Sequence, residues 1–218
     1  MSYTLSEYES KELLREAGIP VPRERLVDTP DEAAEAAREL GLPVALKLCA
    51  RSIAHKTERD LVRLGLSSPE AVREAARDLL ARRGPGDVGA RLLVGPMVRG
   101  RRELIAGLVR DPVFGPCVML GIGGIFAEAL SDVAFAAAPL APHDADELIG
   151  SLRLRSILRA FRGEPALDRA ALVRILETLA EIGTRRPDVR SIDVNPLILC
   201  EGRPVVVDAL VEIEESAA

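Results

Sequence analysis

Hydrophobic and polar positions in the first half of the chain alternate between helical and extended patterns. Ser6 and Glu9 have the spacing of a capping box, which predicts the start of a helix that ends near Gly18. TPDEAAEAARELG and SSPEAVREAARDLLARRG each predict a helix with a capping residue and a proline at its start and a glycine at its end. PVALKLCA is typical of a buried strand, and LVRLGL alternates like a strand.

The second half is richer in strand patterns. ARLLVGPMV, RELIAGLVRD and GPCVMLGIG predict strands, and residues 167–183 predict a long amphipathic helix. VRSIDVNPLIL and RPVVVDALVEI predict two strands that pair antiparallel across the turn CEGR. We therefore predict an α/β protein in which residues 1–218 form a single domain with two lobes. Lobe 1 covers about residues 20–98 and lobe 2 about residues 99–215.

Composition narrows the class of protein. A net charge of −5 argues against a nucleic-acid-binding protein, which would usually carry a basic face. The N-terminus has no apolar leader, and no apolar run approaches the roughly 18 residues of a membrane span. The three cysteines lie far apart, without the spacing of a zinc site. These features predict a cytoplasmic protein that binds neither nucleic acid nor membrane.

The lysines are the first candidates for chemistry. Only Lys11, Lys47 and Lys56 among the 29 basic residues are lysines, and two of them lie within ten residues of His55. Lys47 is part of the apolar strand pattern PVALKLCA. Because a buried ammonium group without a partner is costly, Lys47 is expected to meet an anion. That anion is either a carboxylate in a salt bridge or a bound phosphate.

Two further groups of residues are candidates. The turn GIGGIF, with Gly121, Gly123 and Gly124, either admits a ligand close to the backbone or is a structural bend. It matches neither a P-loop nor G-x-G-x-x-G. Asn195 and Asp208 are polar residues in two adjacent predicted strands. They are either ligands of Mg²⁺, which prefers such oxygen atoms, or hydrogen-bonded turn residues.

Taken in order, these segments resemble one known family. LSEYESKELLREAGIPVP, PVALK followed by HKTE, VRDPVFGPCVMLGIGGIF, APL, and IDVNPLIL with VVVDALV are similar to the ATP-grasp family. The most similar members are the β subunits, or equivalent domains, of ADP-forming acyl-CoA synthetases. The resemblance runs from about Leu5 to Ile213. It implies the ATP-grasp fold, with two lobes that enclose a nucleotide cleft.

The resemblance also implies ligands and residue roles. It places ATP or ADP at Lys47, Val94, Met97, Val98, Glu103, Gly123 and Gly124, and Mg²⁺ at Asn195 and Asp208, with Asp193 nearby. Lys47 would hold the α- and β-phosphates, Val94 to Val98 would line the adenine, and Glu103 would accept the ribose hydroxyls. His55 would be catalytic, relaying a phosphoryl group between ADP and a phosphohistidine on a CoA-binding α subunit. The 218 residues leave no room for a CoA domain, so that partner is expected as a separate chain.

Three positions differ from the pattern usual in this family. Ala50-Arg51 stand where Ser-Pro is usual, Asp60-Leu61 where Gly-Gly is usual, and Ala136 where Arg is usual. Asp60 adds a negative charge on the expected path of an anion, which is unfavourable unless Arg59 or Arg51 offsets it.

These differences leave three hypotheses. The first is a Mg²⁺-dependent phosphoryl-transfer subunit of an acyl-CoA synthetase. The second is a degenerate subunit that binds nucleotide or regulates without catalysing. The third is an ATP-grasp ligase that activates a carboxylate directly as an acyl phosphate.

Overall fold

The computed structural model describes residues 2–53, 56, 59–124, 131–160 and 163–215. The helices are α1 (Glu7–Glu16), α2 (Pro30–Leu40), α3 (Pro69–Ala81), α4 (Asp144–Ser151) and α5 (Arg169–Arg185), with a 3-10 turn at Arg155–Leu158. The strands are β1 (Ser2–Thr4), β2 (Arg25–Val27), β3 (Val44–Cys49), β4 (Val62–Leu66), β5 (Arg91–Pro96), β6 (Glu103–Asp111), β7 (Gly115–Ile122), β8 (Val133–Ala137), β9 (Val189–Cys200), β10 (Arg203–Val206) and β11 (Ala209–Glu214). His55, the predicted catalytic residue, lies outside the described residues.

The chain divides into two units. The smaller unit comprises Thr4–Ser10 and Pro22–Met97, and the larger unit comprises Met1–Tyr3, Lys11–Val21 and Val98–Ala218. The first turn of α1 therefore belongs to the smaller unit, although the rest of that helix belongs to the larger one.

The smaller unit has an antiparallel sheet with the order β2-β5-β3-β4 among the described residues. Its core lies between one face of this sheet and helices α2 and α3. Leu46 and Leu48 on β3 belong to this core, together with Val94 on β5. Because successive side chains of a strand alternate between faces, Lys47 points to the opposite face.

The larger unit has a seven-stranded sheet, again counted over the described residues. Its order is β1-β11-β9-β6-β7-β8, and β10 also pairs with β9. Helix α5 packs so closely on β6 that a Cβ atom at Gly183 would lie 2.7 Å from Leu108 Cδ1. Ile192 and Val194 on β9 are buried, so Asp193 and Asn195 project from the other face of this sheet.

The structure confirms the mixed α/β class and most of the predicted elements. The strand predicted from RPVVVDALVEI is wrong in one respect, because Val207 and Asp208 interrupt it between β10 and β11. Both halves pair with β9, opposite residues on either side of Pro196. Pro196 has no N–H group to donate, so the regular ladder is interrupted here, although the Val207 N–H still donates to Pro196 O at 3.1 Å.

In the described part of the chain, no helix combines the length and the apolar character that are needed to cross a membrane.

Candidate functional site

Lys47 meets a carboxylate that the sequence did not reveal. Its Nζ atom lies 2.6 Å from Oε1 of Glu7, and Nζ of Lys56 lies 3.0 Å from Oε2 of the same carboxylate. All three residues are buried, with 1% of Glu7, 7% of Lys47 and 5% of Lys56 exposed. The salt-bridge alternative for Lys47 is therefore present in the structure. Lys56 directly follows His55, so Glu7 also connects β3 to the chain beside the predicted catalytic histidine.

The start of α1 explains why Glu7 reaches this position. Ser6 and Glu9 form the predicted capping box: the Ser6 N–H donates to Glu9 Oε2 at 2.9 Å, and the Glu9 N–H donates to Ser6 Oγ at 3.3 Å. The cap fixes the first helical turn, which places Glu7 against the face of the sheet that carries Lys47. The helix N-terminus also favours a negative charge at Glu7.

Arg51, at the first unusual position, binds Glu9 of the capping box. Its Nε and Nη2 atoms donate to both carboxylate oxygens of Glu9, at distances from 2.5 to 3.1 Å. These bonds, together with those from Ser6, lower the pKa of Glu9 to about 2 against the opposing effect of burial. The charge of Arg51 is thus compensated within the smaller unit.

Asp60, at the second unusual position, is compensated by partners other than those expected. Arg63 Nη1 lies 2.9 Å from Asp60 Oδ1, and Arg82 Nη1 lies 2.9 Å from Asp60 Oδ2. Arg59 pairs with Asp87, and Arg51 pairs with Glu9. Asp60 has a φ of 53°, so it adopts the left-handed conformation that a glycine would adopt freely.

The remaining replaced residues are apolar. Leu61 is 1% exposed and belongs to the core of the smaller unit, where its carbonyl accepts the Leu48 N–H at 3.0 Å. Ala136 lies opposite Val118 in the β7–β8 ladder. The Leu61 side chain therefore contributes packing, whereas Ala136 lacks the guanidinium that the resemblance led us to expect there.

The predicted adenine-lining stretch is divided between the two units. Val94 is fully buried in the core of the smaller unit, so its side chain has no surface to offer a ligand. The Met97 N–H donates to Pro43 O at 3.3 Å, and Met97 Sδ accepts the Gly65 N–H at 3.4 Å. Val98 is partly exposed and belongs to the larger unit. Val94 also lies between paired residues of β2 and β3, so neither its side chain nor its backbone is exposed in this structure.

In the larger unit, the glycine-rich turn packs against Glu103. The Gly123 N–H donates to Glu103 O at 2.8 Å, and a Cβ atom at Gly123 would lie 3.1 Å from the Glu103 carbonyl carbon. Gly124 has a φ of 87°, which favours glycine. The sequence allowed either a structural bend or a ligand-binding turn here. The structure has the bend, and it lies beside Glu103, the residue predicted to contact ribose.

Asn195 and Asp208 are also brought together. The Asn195 N–H donates to Asp208 O at 3.2 Å across the break in the β9 ladder. Although water reaches Asp193, desolvation raises the pKa of its carboxyl group, and the negative charge of Asp208 raises it further. An amide and two carboxylates thus share one region of this unit, a donor set of the hard oxygen atoms that suit Mg²⁺. Over the residues that the structure describes, no group of three or more histidine, cysteine, aspartate or glutamate residues is arranged to hold a metal.

Comparison with known proteins assigns this chain to a family. The model of a family described as an ATP-grasp domain matches residues 1–213. The chain belongs to the ATP-grasp family. It is 37% identical over 208 residues to the β subunit of ADP-forming acetate–CoA ligase I from Pyrococcus furiosus, covering 94% of this chain and 90% of that protein.

Solved structures agree with this assignment. The dinucleotide-forming acetyl-coenzyme A synthetase 1 of Ca. Korarchaeum cryptofilum, in complex with coenzyme A, Ca-AMPCP and HgCl⁺, has a TM-score of 0.91 and 35% identity. The match covers 97% of this chain and 94% of that one. The complex of the same synthetase with coenzyme A and Mg-AMPPCP, in which a phosphohistidine segment points towards the nucleotide binding site, has a TM-score of 0.85 and 36% identity. That match covers 97% of this chain and 93% of the other. The chain is thus an ATP-grasp, nucleotide-binding subunit of the ADP-forming acid–CoA ligase type.

We expect Glu7→Gln to destabilise the protein strongly. It leaves two buried ammonium groups against a neutral amide, and breaking a buried ion pair in this way costs about 3 kcal/mol or more. Urea unfolding followed by circular dichroism measures the loss. The control is Glu35→Gln, since Glu35 pairs with Arg38 on an exposed face of α2 and should change stability by less than about 1 kcal/mol. Equal losses in the two variants would contradict the importance of the buried pair.

We expect Arg51→Ala to raise the pKa of Glu9 from about 2 towards its ordinary value of 4.5. Because the folded-state pKa is depressed, the stability from this pair is present above about pH 4.5 and is lost as the pH falls towards 2. Between about pH 4.5 and pH 2, the free energy of unfolding should therefore fall less in the variant than in the wild-type protein. A ¹³C NMR titration of the Glu9 carboxyl group measures the pKa, with Arg25→Ala as the control that should leave it unchanged. A Glu9 pKa of about 2 in Arg51→Ala would refute the assignment.

Proposed function

We propose that this chain is the Mg²⁺-dependent phosphoryl-transfer subunit of an ADP-forming acyl-CoA synthetase. The observation that carries the proposal is the buried contact of Lys47 and Lys56 with Glu7. It holds the lysine assigned to the nucleotide phosphates together with the residue that follows His55. The synthetase structure with Mg-AMPPCP, whose phosphohistidine segment points towards the nucleotide, supports the same chemistry.

The proposal assigns nucleotide contacts to residues of the smaller unit and to residues of the larger unit. Lys47 holds the α- and β-phosphates, and Glu7 orients its ammonium group by a 2.6 Å contact. Met97 and Val98 line the adenine. Glu103 accepts the ribose hydroxyls, and the turn at Gly123 and Gly124 fixes the backbone beside it.

The oxygen atoms of Asn195 and Asp208 fit a bound Mg²⁺, with Asp193 close by. When bound, Mg²⁺ would neutralise part of the negative charge on the transferring phosphoryl group. The chain's own contribution is to fix these oxygen atoms through the Asn195–Asp208 backbone hydrogen bond of 3.2 Å.

His55 relays the phosphoryl group in two displacements. In the first, the N–P bond of a partner's phosphohistidine breaks as a new N–P bond forms on the neutral imidazole nitrogen of His55. In the second, an oxygen of the β-phosphate of ADP displaces His55, which breaks that N–P bond and forms ATP. A neutral imidazole suits both steps, because it is nucleophilic near pH 7 and also leaves readily as the neutral base once protonated.

The partner in this scheme is a CoA-binding α subunit that carries the phosphohistidine. The Pyrococcus furiosus relative is itself named as a β subunit, which implies a partner for that protein. We extend the same arrangement to this chain.

The degenerate alternative rests on the altered residues near the phosphate path. Two of these residues carry charge, and both are paired: Arg51 with Glu9, and Asp60 with Arg63 and Arg82. Since neither charge is left facing an incoming phosphate alone, these pairings favour the active subunit over the degenerate one.

We expect the purified chain to bind ADP in calorimetry, and Mg²⁺ to strengthen the binding. Asp208→Asn should weaken the Mg²⁺-dependent part roughly tenfold or more, because it removes a charged ligand. Asp188→Asn is the control, since Asp188 also lies in the larger unit but pairs with Arg186. Lys47→Met should weaken ADP binding by removing the phosphate contact, and Glu7 keeps Lys56 as its ion-pair partner in this variant. Folded wild-type protein that binds neither ADP nor ATP with Mg²⁺ would refute the proposal.

We expect ATP labelled with ³²P at its γ-phosphate to label the chain, because the second displacement is reversible. The label should be stable to alkali and labile to acid. The chain has only two histidines, so His143→Gln is a matched control that should keep the label while His55→Gln loses it. Label retained in His55→Gln would exclude the relay, and wild-type protein that binds ADP without being labelled would favour the degenerate alternative.

A further inference from the structure

Asp87 is a buried carboxylate without a role in the scheme above. Only 4% of its side chain is exposed. Its own turn fixes it: the Asp87 N–H donates to Gly84 O at 3.0 Å, the Gly84 N–H donates to Asp87 Oδ2 at 2.8 Å, and the Ala90 N–H donates to Asp87 O at 3.1 Å. The carboxylate therefore has a defined orientation within the turn formed by residues 84–90.

From this turn, Asp87 binds two residues of a different segment. Ser52 Oγ donates to Asp87 Oδ1 at 3.3 Å. Arg59 Nη1 donates to Oδ1 at 3.0 Å, and Arg59 Nη2 donates to Oδ2 at 2.6 Å, which makes a bidentate pair. Ser52 and Arg59 stand on either side of His55 in the sequence. One buried carboxylate thus holds the chain both before and after the predicted relay histidine.

We infer that Asp87 is a positioning residue for His55, because it holds both ends of segment 52–59 against the turn of residues 84–90. The inference rests on the proposed function, in which His55 must meet two phosphoryl partners in turn. Fixing both ends of a segment reduces the number of positions that its middle can occupy, which lowers the entropic cost of reaching a reactive geometry. The contact of Lys56 with Glu7 restrains the same segment at a third point.

The charge state of Asp87 suits this role. The hydrogen bonds from Arg59, opposed by burial and aided by the Gly84 N–H, lower the pKa of Asp87 to about 2. The side chain is therefore a carboxylate at neutral pH, and it accepts the bonds from Ser52, Arg59 and the Gly84 N–H. Asp87→Asn conserves its volume but replaces one accepting oxygen with an NH₂ group, which cannot accept from Arg59.

Hydrogen exchange of Asp87→Asn in the full chain tests this inference. We expect amides within residues 52–59 to exchange roughly tenfold faster or more, while amides of α2 keep their wild-type rates. The control is Asp28→Asn, because Asp28 also accepts a bidentate pair, from Arg91, in the same unit. Arg59→Gln removes the same contact by changing an exposed residue. If Asp87→Asn fails to fold, Arg59→Gln should show the same faster exchange in residues 52–59. Unchanged exchange in residues 52–59, or equal acceleration throughout the protein, would overturn the inference.

Labelling by γ-³²P-ATP gives the functional readout. Asp87→Asn should slow the labelling of His55 about tenfold while its affinity for ADP in calorimetry stays that of the wild type. Labelling at the wild-type rate despite faster local exchange would overturn the positioning role. If the wild-type chain is not labelled, the relay itself fails, and hydrogen exchange alone then decides whether Asp87 holds segment 52–59.

Discussion

The Glu7 carboxylate, shared by Lys47 and Lys56, is the interaction on which the proposed chemistry of the smaller unit depends. Removing two ammonium groups from water is costly, and a carboxylate at 2.6 and 3.0 Å offsets that cost. The same contact requires the first turn of α1 to lie on the sheet. The cap between Ser6 and Glu9 is thus a condition for the position of Lys47.

The unusual residues of this chain come with partners of their own. Arg51 forms a bidentate pair with Glu9 of the cap, and the Asp60 carboxylate lies between Arg63 and Arg82. A substitution that introduces a charge near a phosphate site alters the local field, but a paired charge contributes much less to that field than an isolated one. The replaced positions therefore change how the neighbouring segments are held together more than they change the net charge that a phosphate would meet.

In the larger unit, an interruption of the sheet creates the candidate metal position. Pro196 cannot donate to the ladder, so β10 ends before it and β11 resumes beyond it. Asp208 falls in the gap and accepts a hydrogen bond from Asn195 through its backbone. A continuous strand would commit these two residues to regular pairing. This backbone bond brings the two residues together at the break, in the region of Asp193.

Local signals in the sequence determined the helices, since capping residues, prolines and acids act within a few positions of the helix start. Thr29 and Glu32, for example, form the capping box of α2 as their spacing predicts. The order of motifs also sufficed for the family, and it pointed to Lys47, Asn195 and Asp208. The sequence alone could not supply the partners of the charged residues. Glu7 is 40 positions from Lys47, and Asp87 is 28 positions from Arg59. Such pairs depend on which faces of helix, turn and sheet meet, and only the tertiary structure decides that, because no periodic pattern records contacts between distant segments.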